Sequence, residues 1–191
     1  MPTPPNDSTT ILLQNHRDDL FVAMQRLLPQ HSFSRLLGKL ADSKNPRLKK
    51  LLIHRAIARF QIDLTEAESA DPDSYDSFNA FFTRRLSSSA RPVDTQHNAL
   101  TSPADGAISE LGDINNGTIY QAKNHFYSTQ ALLACSNLDA ANFHNGSFVT
   151  VYLSPRDYHR VHMPMDGKLT KTDYIPGKLF SVHGKTVNQV D

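Results

Sequence analysis

The sequence predicts an α+β fold, with amphipathic helices at the N-terminal end followed by a mostly antiparallel β domain. Two observations carry this. Up to about residue 90 the apolar residues recur at spacings of three and four, the period of a helix with one buried face. From Arg91-Pro92-Val93-Asp94 onward, glycine and proline punctuate short segments rich in β-branched and aromatic residues, the texture of strands joined by turns. Helices first and strands later is the order of an α+β chain. No internal repeat or long low-complexity tract interrupts it.

Each element has its own justification. Leu20, Phe21, Met24, Leu27 and Leu28 fall at helical spacing between Arg17 and Leu28, and Pro29 marks the stop. Leu36, Leu37 and Leu40 place a short helix over Phe33 to Leu40. After the Asn45-Pro46 break, Arg47 to Phe60 is the clearest amphipathic stretch. Leu48, Leu52, Ile53, Ala56, Ile57 and Phe60 form its apolar face, with Lys50, His54 and Arg55 mainly opposite. A further helix is expected over Ser74 to Leu86, capped by Asp73 or Ser74, with Tyr75, Phe78, Phe81, Phe82 and Leu86 as its stripe. The best strand candidates are Ala107 to Leu111, Thr118 to Ala122, Phe148 to Leu153 and Lys168 to Ile175. Asn116-Gly117 and Asn145-Gly146 read as turns, and Ser128 caps a short helix over Thr129 to Ala134.

Composition narrows the function. A chain of 191 residues, 39% of them hydrophobic, is long enough for a sizeable core. With 20 basic and 19 acidic side chains the formal charge is +1, which argues against a general nucleic-acid binder. The single cysteine, Cys135, cannot form an internal disulfide and reads as a small buried hydrophobe. No apolar run approaches the ~20 residues of a transmembrane helix, and residues 1–16 read as a disordered leader rather than a signal peptide. The chain is therefore expected on the cytoplasmic side.

Charge is distributed unevenly. From Ile11 to Phe60 ten basic residues face three acidic ones, a net +7, whereas all six charges between Gln61 and Ser77 are negative. Basic amphipathic helices can lie on anionic lipid or pack their apolar faces inward, and the pattern by itself leaves the two readings even.

The densest chemistry lies in Ser154-Pro155-Arg156-Asp157-Tyr158-His159-Arg160-Val161-His162-Met163-Pro164. Histidine titrates near neutrality, and a carboxylate on its far nitrogen fixes the tautomer. Asp105, in Ser102-Pro103-Ala104-Asp105-Gly106, offers such a carboxylate, although Asp-Gly is also a common turn pair. Arg156 and Arg160, with Tyr158 beside them, suit contact with a phosphate or carboxylate substrate. A metal site built from His159, His162 and Asp105 or Asp157 is the competing reading, disfavoured by the two neighbouring arginines. His16, His97 and His144 read as ordinary surface or core residues. A nucleophile is missing: Ser147 lies in an Asn-Gly turn without a nucleophile-elbow pattern, and nothing near Cys135 would lower its pKa.

Several blocks resemble the bacterial, pyruvoyl-dependent phosphatidylserine decarboxylases. They are Ser77-Phe78-Asn79-Ala80-Phe81-Phe82-Thr83-Arg84, Arg91-Pro92-Val93-Asp94, Pro103-Ala104-Asp105-Gly106 with Ile108-Ser109, Tyr152 to Pro164, and Tyr174-Ile175-Pro176-Gly177-Lys178-Leu179-Phe180-Ser181-Val182. The resemblance runs from about Phe60 to Asp191 and is looser in the N-terminal helices. It implies a self-processing proenzyme, in which a serine of a Leu-Gly-Ser-Thr motif attacks the preceding peptide carbonyl and leaves a pyruvoyl group on a new small subunit. By matching positions, His162 activates that serine, Asp105 orients His162, and His159 holds substrate or handles a proton during decarboxylation. The pyruvoyl ketone engages the amine of phosphatidylserine and takes up electrons as CO2 leaves. The helices, residues 17–90, then form a membrane-associating region on the cytoplasmic face, and residues 91–191 a partial catalytic domain.

The departure from that pattern is large: no Leu-Gly-Ser-Thr occurs in these 191 residues. The implied reading is the N-terminal portion of a proenzyme, inactive by itself, with exposed sheet edges and poor solubility. Its implied partners are the phospholipid substrate, an anionic membrane surface and the pyruvoyl-bearing small subunit, with oligomeric state left open. The alternative is a non-catalytic peripheral membrane-binding module.

Overall fold

The computed structural model describes residues 23–96, 98–121, 125–134 and 137–180. The expected leader, residues 17–22 of the first helix, His97 and Cys135 lie outside them. Two compact units divide the chain, residues 38–175 forming one, and 1–37 with 176–191 the other.

In the described part of the second unit, residues 23–27 are helical and the chain bends at Leu28 before Pro29, as the proline requires. The Pro29 carbonyl accepts the Phe33 N–H at 3.0 Å, so the helix α1 spans Gln30–Ala41, three residues earlier than its leucines suggest. Gln30 also joins this unit to itself, its Oε1 accepting the Leu179 N–H at 2.8 Å. No residue of α1 is buried.

In the larger unit, which begins within the last turn of α1, the next helix is α2, Pro46–Phe60. Asn45 Oδ1 accepts the Arg47 and Leu48 N–H groups, and Pro46 sits at the first turn, where its missing N–H costs nothing. Gln61 turns left-handed (φ 53°) and its N–H returns to the Ile57 carbonyl. That reversal explains why Phe60, expected on the apolar face, is exposed, with the Arg59 guanidinium 5.6 Å from its ring centre. Ile53 and Ala56 turn inward as expected and form the core with Ile62 and Phe81. Tyr75 meets Phe81 edge-on, centroids 5.5 Å apart.

The expected helix over Ser74 to Leu86 is replaced by two short pieces. A 3₁₀ turn spans Pro72–Ser74, capped by Asp71, and after extended Tyr75 the helix α3 spans only Phe78–Phe82. The cap is Ser77, whose Oγ accepts the Ala80 N–H at 3.1 Å. Asp73 is occupied elsewhere: Lys50 and His54 of α2 reach its carboxylate at 2.6 and 3.0 Å. Leu86 leaves the helix altogether and bridges Ala67 in extended conformation.

Four antiparallel strands follow: β1 Ala107–Asn115, β2 Thr118–Gln121, β3 His125–Ser128 and β4 Gly146–Tyr152, in the order β3-β2-β1-β4. Asn116 and Gly117, both at positive φ (50° and 71°), make the β1–β2 turn. Ser128 caps α4, Thr129–Leu133, by accepting the Ala131 N–H at 3.1 Å. A second helical turn, α5 (Asn137–Ala141), and strand β3 were not anticipated. Asn145-Gly146 leads directly into β4 instead of forming a two-residue hairpin turn. The expected strand over Lys168 to Ile175 does not form: none of the described strands pairs with it, and Leu169 and Tyr174 stand exposed. Alternation alone cannot hold a strand that has no ladder partner.

Candidate active site

The site is built where the Pro103–Asp105 turn meets the Ser154–Pro164 segment. Asp105 pairs with Tyr158 through an isolated antiparallel bridge, and the His162 N–H donates to the Pro103 carbonyl at 2.8 Å. A little further along, the Thr101 N–H reaches the Pro164 carbonyl at 2.9 Å. Backbone pairing thus carries Asp105, Tyr158, Arg160 and His162 to one cavity of about 620 Å³, lined also by apolar Leu86, Pro92, Val93 and Met163.

The segment is anchored by the two residues that follow α3. Arg84 Nη2 donates to the Arg156 carbonyl at 2.9 Å and Arg160 Nε to the Thr83 carbonyl at 2.8 Å. Arg84 is buried, and burial lowers its pKa. The turn itself is closed by Asp157, whose Oδ2 accepts the Ser154 N–H at 2.6 Å. Arg156, grouped with Arg160 as a substrate contact, has an exposed side chain, its Nε 3.8 Å from Asp157 Oδ1. It lines a neighbouring, more polar cleft that Asp105 and Tyr158 share.

The two histidines differ in surroundings. His162 Nε2 lies 2.9 Å from the Tyr158 hydroxyl, with the two rings stacked 17° from parallel. His159 does not line the cavity. It stacks on Phe82, and its Nε2 lies 3.0 Å from the Ser154 carbonyl oxygen. A carbonyl oxygen can only accept, so that Nε2 carries a proton. Burial pushes the His159 imidazole below its ordinary pKa, partly opposed by the Ser154 hydrogen bond.

The carboxylate expected to brace His162 pairs with Arg91. Among the described residues no hydrogen bond joins Asp105 to His162. Asp105 Oδ2 is held by Arg91, 2.9 Å from Nε and 2.7 Å from Nη2. Two cationic donors outcompete a single imidazole N–H for one carboxylate oxygen. Sequence reasoning assigns Arg91 no role. Its signal was present, since an arginine fourteen residues before an Asp-Gly turn and close to an acidic run has obvious partners.

Other candidates fall elsewhere. Ser147, on β4, faces Asp113 across the ladder and does not line the cavity. Among the described residues no group of three histidine, cysteine, aspartate or glutamate side chains is placed to hold a metal ion. No described helix is long and apolar enough to cross a membrane.

Comparison with known proteins converges on these same segments. A family model for phosphatidylserine decarboxylase matches residues 78–190, from α3 through the whole Ser154–Pro164 segment, and one described as PSD matches residues 20–61. Proteins named phosphatidylserine decarboxylase proenzyme are similar over most of this chain. The one from Saccharophagus degradans is 50% identical over 174 residues, which is 91% of this chain and 61% of the relative. That from Alcanivorax borkumensis is 53% identical over 175 residues (91% and 60%), and that from Francisella philomiragia 49% identical over 175 (92% and 61%). The chain spans about 60% of the length of these curated relatives. With the family model covering both the anchoring residues and the paired turn that carries Asp105 and His162, the chain belongs to the phosphatidylserine decarboxylase family.

Proposed function

We propose that this chain is the N-terminal portion of a proenzyme that cleaves itself at a serine and then decarboxylates phosphatidylserine to phosphatidylethanolamine in phospholipid biosynthesis. The observation carrying this is the pairing of residues 103–105 with 158–162, which brings a carboxylate, an imidazole and a guanidinium onto one partly apolar cavity. An amphiphile with an anionic headgroup and an acyl chain needs that mixture of walls.

His162 is the base that takes the proton of an attacking serine hydroxyl, and Asp105 steadies the charge that His162 acquires. Of the two histidines, His162 is favoured because it faces the cavity, whereas the Nε2 of His159 is committed to the Ser154 carbonyl. His159 then acts on the substrate side, through a neutral ring whose remaining nitrogen can accept a proton. Arg160 and Arg156 draw the headgroup by charge, with Tyr158 between them. The pyruvoyl group fits this arrangement, because the cavity has room for a small keto-acyl group beside an imidazole and a guanidinium. When present, it supplies the electron sink for loss of CO2. Its serine belongs to the Leu-Gly-Ser-Thr motif that these 191 residues do not contain, and the small subunit bearing it is the partner chain.

The membrane supplies the substrate, and α1 supports a peripheral location on the cytoplasmic face. Phe33, Leu36, Leu37 and Leu40 are each between 44% and 55% exposed on a helix that also carries Arg35 and Lys39. The decisive experiment expresses the gene with its downstream continuation. Two chains by mass spectrometry, one blocked by pyruvate, with CO2 released from phosphatidylserine vesicles, support the proposal. A single unprocessed chain with no activity refutes it. The 191-residue chain alone releases no CO2.

A further inference from the structure

We propose that Arg91 is a positioning residue that clamps Asp105 through one carboxylate oxygen and leaves the other for the His162 imidazole. This rests on the assignment of Asp105 and His162 under the proposed function.

The geometry is specific. Arg91 Nη1 and Nη2 grip the two Glu66 oxygens at 2.9 and 3.0 Å, Nη1 also donates to the Ala90 carbonyl at 2.7 Å, and Nε donates to Asp105 Oδ2 at 2.9 Å. Nη2 stands 2.7 Å from that same Oδ2. Glu66 is itself fixed, since its carbonyl accepts the Ser87 N–H at 2.8 Å and the next residue, Ala67, bridges Leu86. One planar fork therefore ties the Asp105 turn to the Glu66–Ser87 framework, and every contact it makes with Asp105 falls on Oδ2.

Exposed ion pairs usually contribute little, and all three side chains here are partly exposed. A bidentate fork shared by two carboxylates is the kind of network that fixes geometry nonetheless. It also has an electrostatic effect. A guanidinium beside Asp105 offsets part of the negative charge that would stabilise a protonated His162. Removing it leaves a freer and less compensated carboxylate, which favours positive charge beside it, so the pH midpoint of cleavage moves upward. The other titratable or charged residues lining the cavity are Arg85, Arg160 and Tyr158, and those lining the adjoining cleft are Asp63, Glu66, Arg84, Arg156 and Asp157. None of these is changed in the test.

The test follows self-cleavage of the full-length precursor against pH for wild type, D105N, R91Q and R91K, with folding checked by circular dichroism and thermal melting. Expected are loss of cleavage in D105N, cleavage slowed roughly tenfold or more in R91Q with its pH midpoint moved upward, and partial recovery in R91K with the midpoint unmoved. A folded R91Q that cleaves at the wild-type rate and midpoint overturns the inference while leaving the proposed function standing. So does equal slowing in R91Q and R91K without a midpoint shift, which would mean a purely structural role. If R91Q does not fold, R91K decides. Slower cleavage with the wild-type melting temperature kept supports the clamp, whereas slowing that tracks a lowered melting temperature, or wild-type behaviour, overturns it. Wild-type cleavage by D105N removes the underlying assignment instead, and the inference with it.

Discussion

Phe82 and His159 lie face to face, ring centroids 4.0 Å apart and planes 22° from parallel. The stack covers one face of the imidazole, and burial is the main reason its pKa falls below the ordinary 6.5. In F82A, water reaches that face and the His159 titration midpoint, followed by NMR of the ring protons, moves up toward 6.5. An unmoved midpoint would assign the depression to something other than burial against Phe82.

The same residue sets a sign for stability. A histidine whose folded pKa is lowered binds fewer protons folded than unfolded, so its contribution is intact above about pH 6.5 and declines as pH falls through that range. Urea midpoints between pH 7.5 and 5.5 should therefore fall more steeply for wild type than for H159Q. Parallel curves would show that His159 is not the linked group.

Asp73 acts in the same direction but at lower pH. Lys50 and His54 hold its carboxylate below the usual aspartate range, so its contribution is present above about pH 3.8 and is lost on further acidification. The network is exposed and salt should screen it. D73N should lower the melting temperature slightly in dilute buffer, and the difference should shrink in high salt. A difference independent of salt would point to the 3₁₀ turn rather than to charge.

Core and cap should separate cleanly in size. Phe81 is fully buried among Ile53, Ala56 and Ile62, so F81A should cost about 3–5 kcal/mol of unfolding free energy. S77A removes only the cap on the Ala80 N–H and should cost about 1 kcal/mol. Chemical denaturation measures both, and a reversed order would mean that α3 is held by its cap rather than by its aromatic face.

The parts of this fold legible in sequence are those decided within a few residues. Asn45-Pro46, Asn116-Gly117 and Ser128 each act on N–H groups or dihedrals next to themselves, and each does what its residue type implies. The family was legible too, from the Ser154–Pro164 segment. What depended on distant partners was not. Ser77 caps α3, while Asp73 is claimed by Lys50 and His54, some twenty residues away, and the Ser74 hydroxyl donates to the Asp71 carbonyl. Lys168 to Ile175 alternates like a strand and finds none to pair with among the described residues. The Asp105–Arg91 pairing is only half legible: the nearby acidic run and the Asp-Gly turn offer partners for Arg91, but two carboxylates share one fork and only the folded geometry decides how.

Membrane contact by α1 gives a prediction that leaves the core alone. None of its residues is buried, so L36E should not lower the melting temperature. Each leucine taken into lipid is worth roughly 1.5–3 kcal/mol, and every 1.4 kcal/mol is tenfold in affinity. L36E should therefore weaken binding to phosphatidylglycerol-containing vesicles roughly tenfold or more in flotation assays. Unchanged binding would remove α1 from the membrane contact.

Gly106 joins the sheet to the site, and it tests whether the position of Asp105 matters. A side chain there would run into the Tyr152 carbonyl of β4, so G106A must push the start of β1 away from β4. The displaced residue is the one next to Asp105, whose backbone bridge to Tyr158 and ion pair with Arg91 both depend on where the turn sits. G106A should therefore weaken two things together. Hydrogen exchange should quicken at Ala107 and Ile108, and the full-length precursor should cleave roughly tenfold or more slowly, a small misplacement of a catalytic group being enough for that. G112A is the control: its added methyl meets only the Phe148 ring, a side chain that can move. It should leave cleavage near the wild-type rate. If G106A loosens the strand yet cleavage keeps its speed, Asp105 does not act from the position this turn gives it.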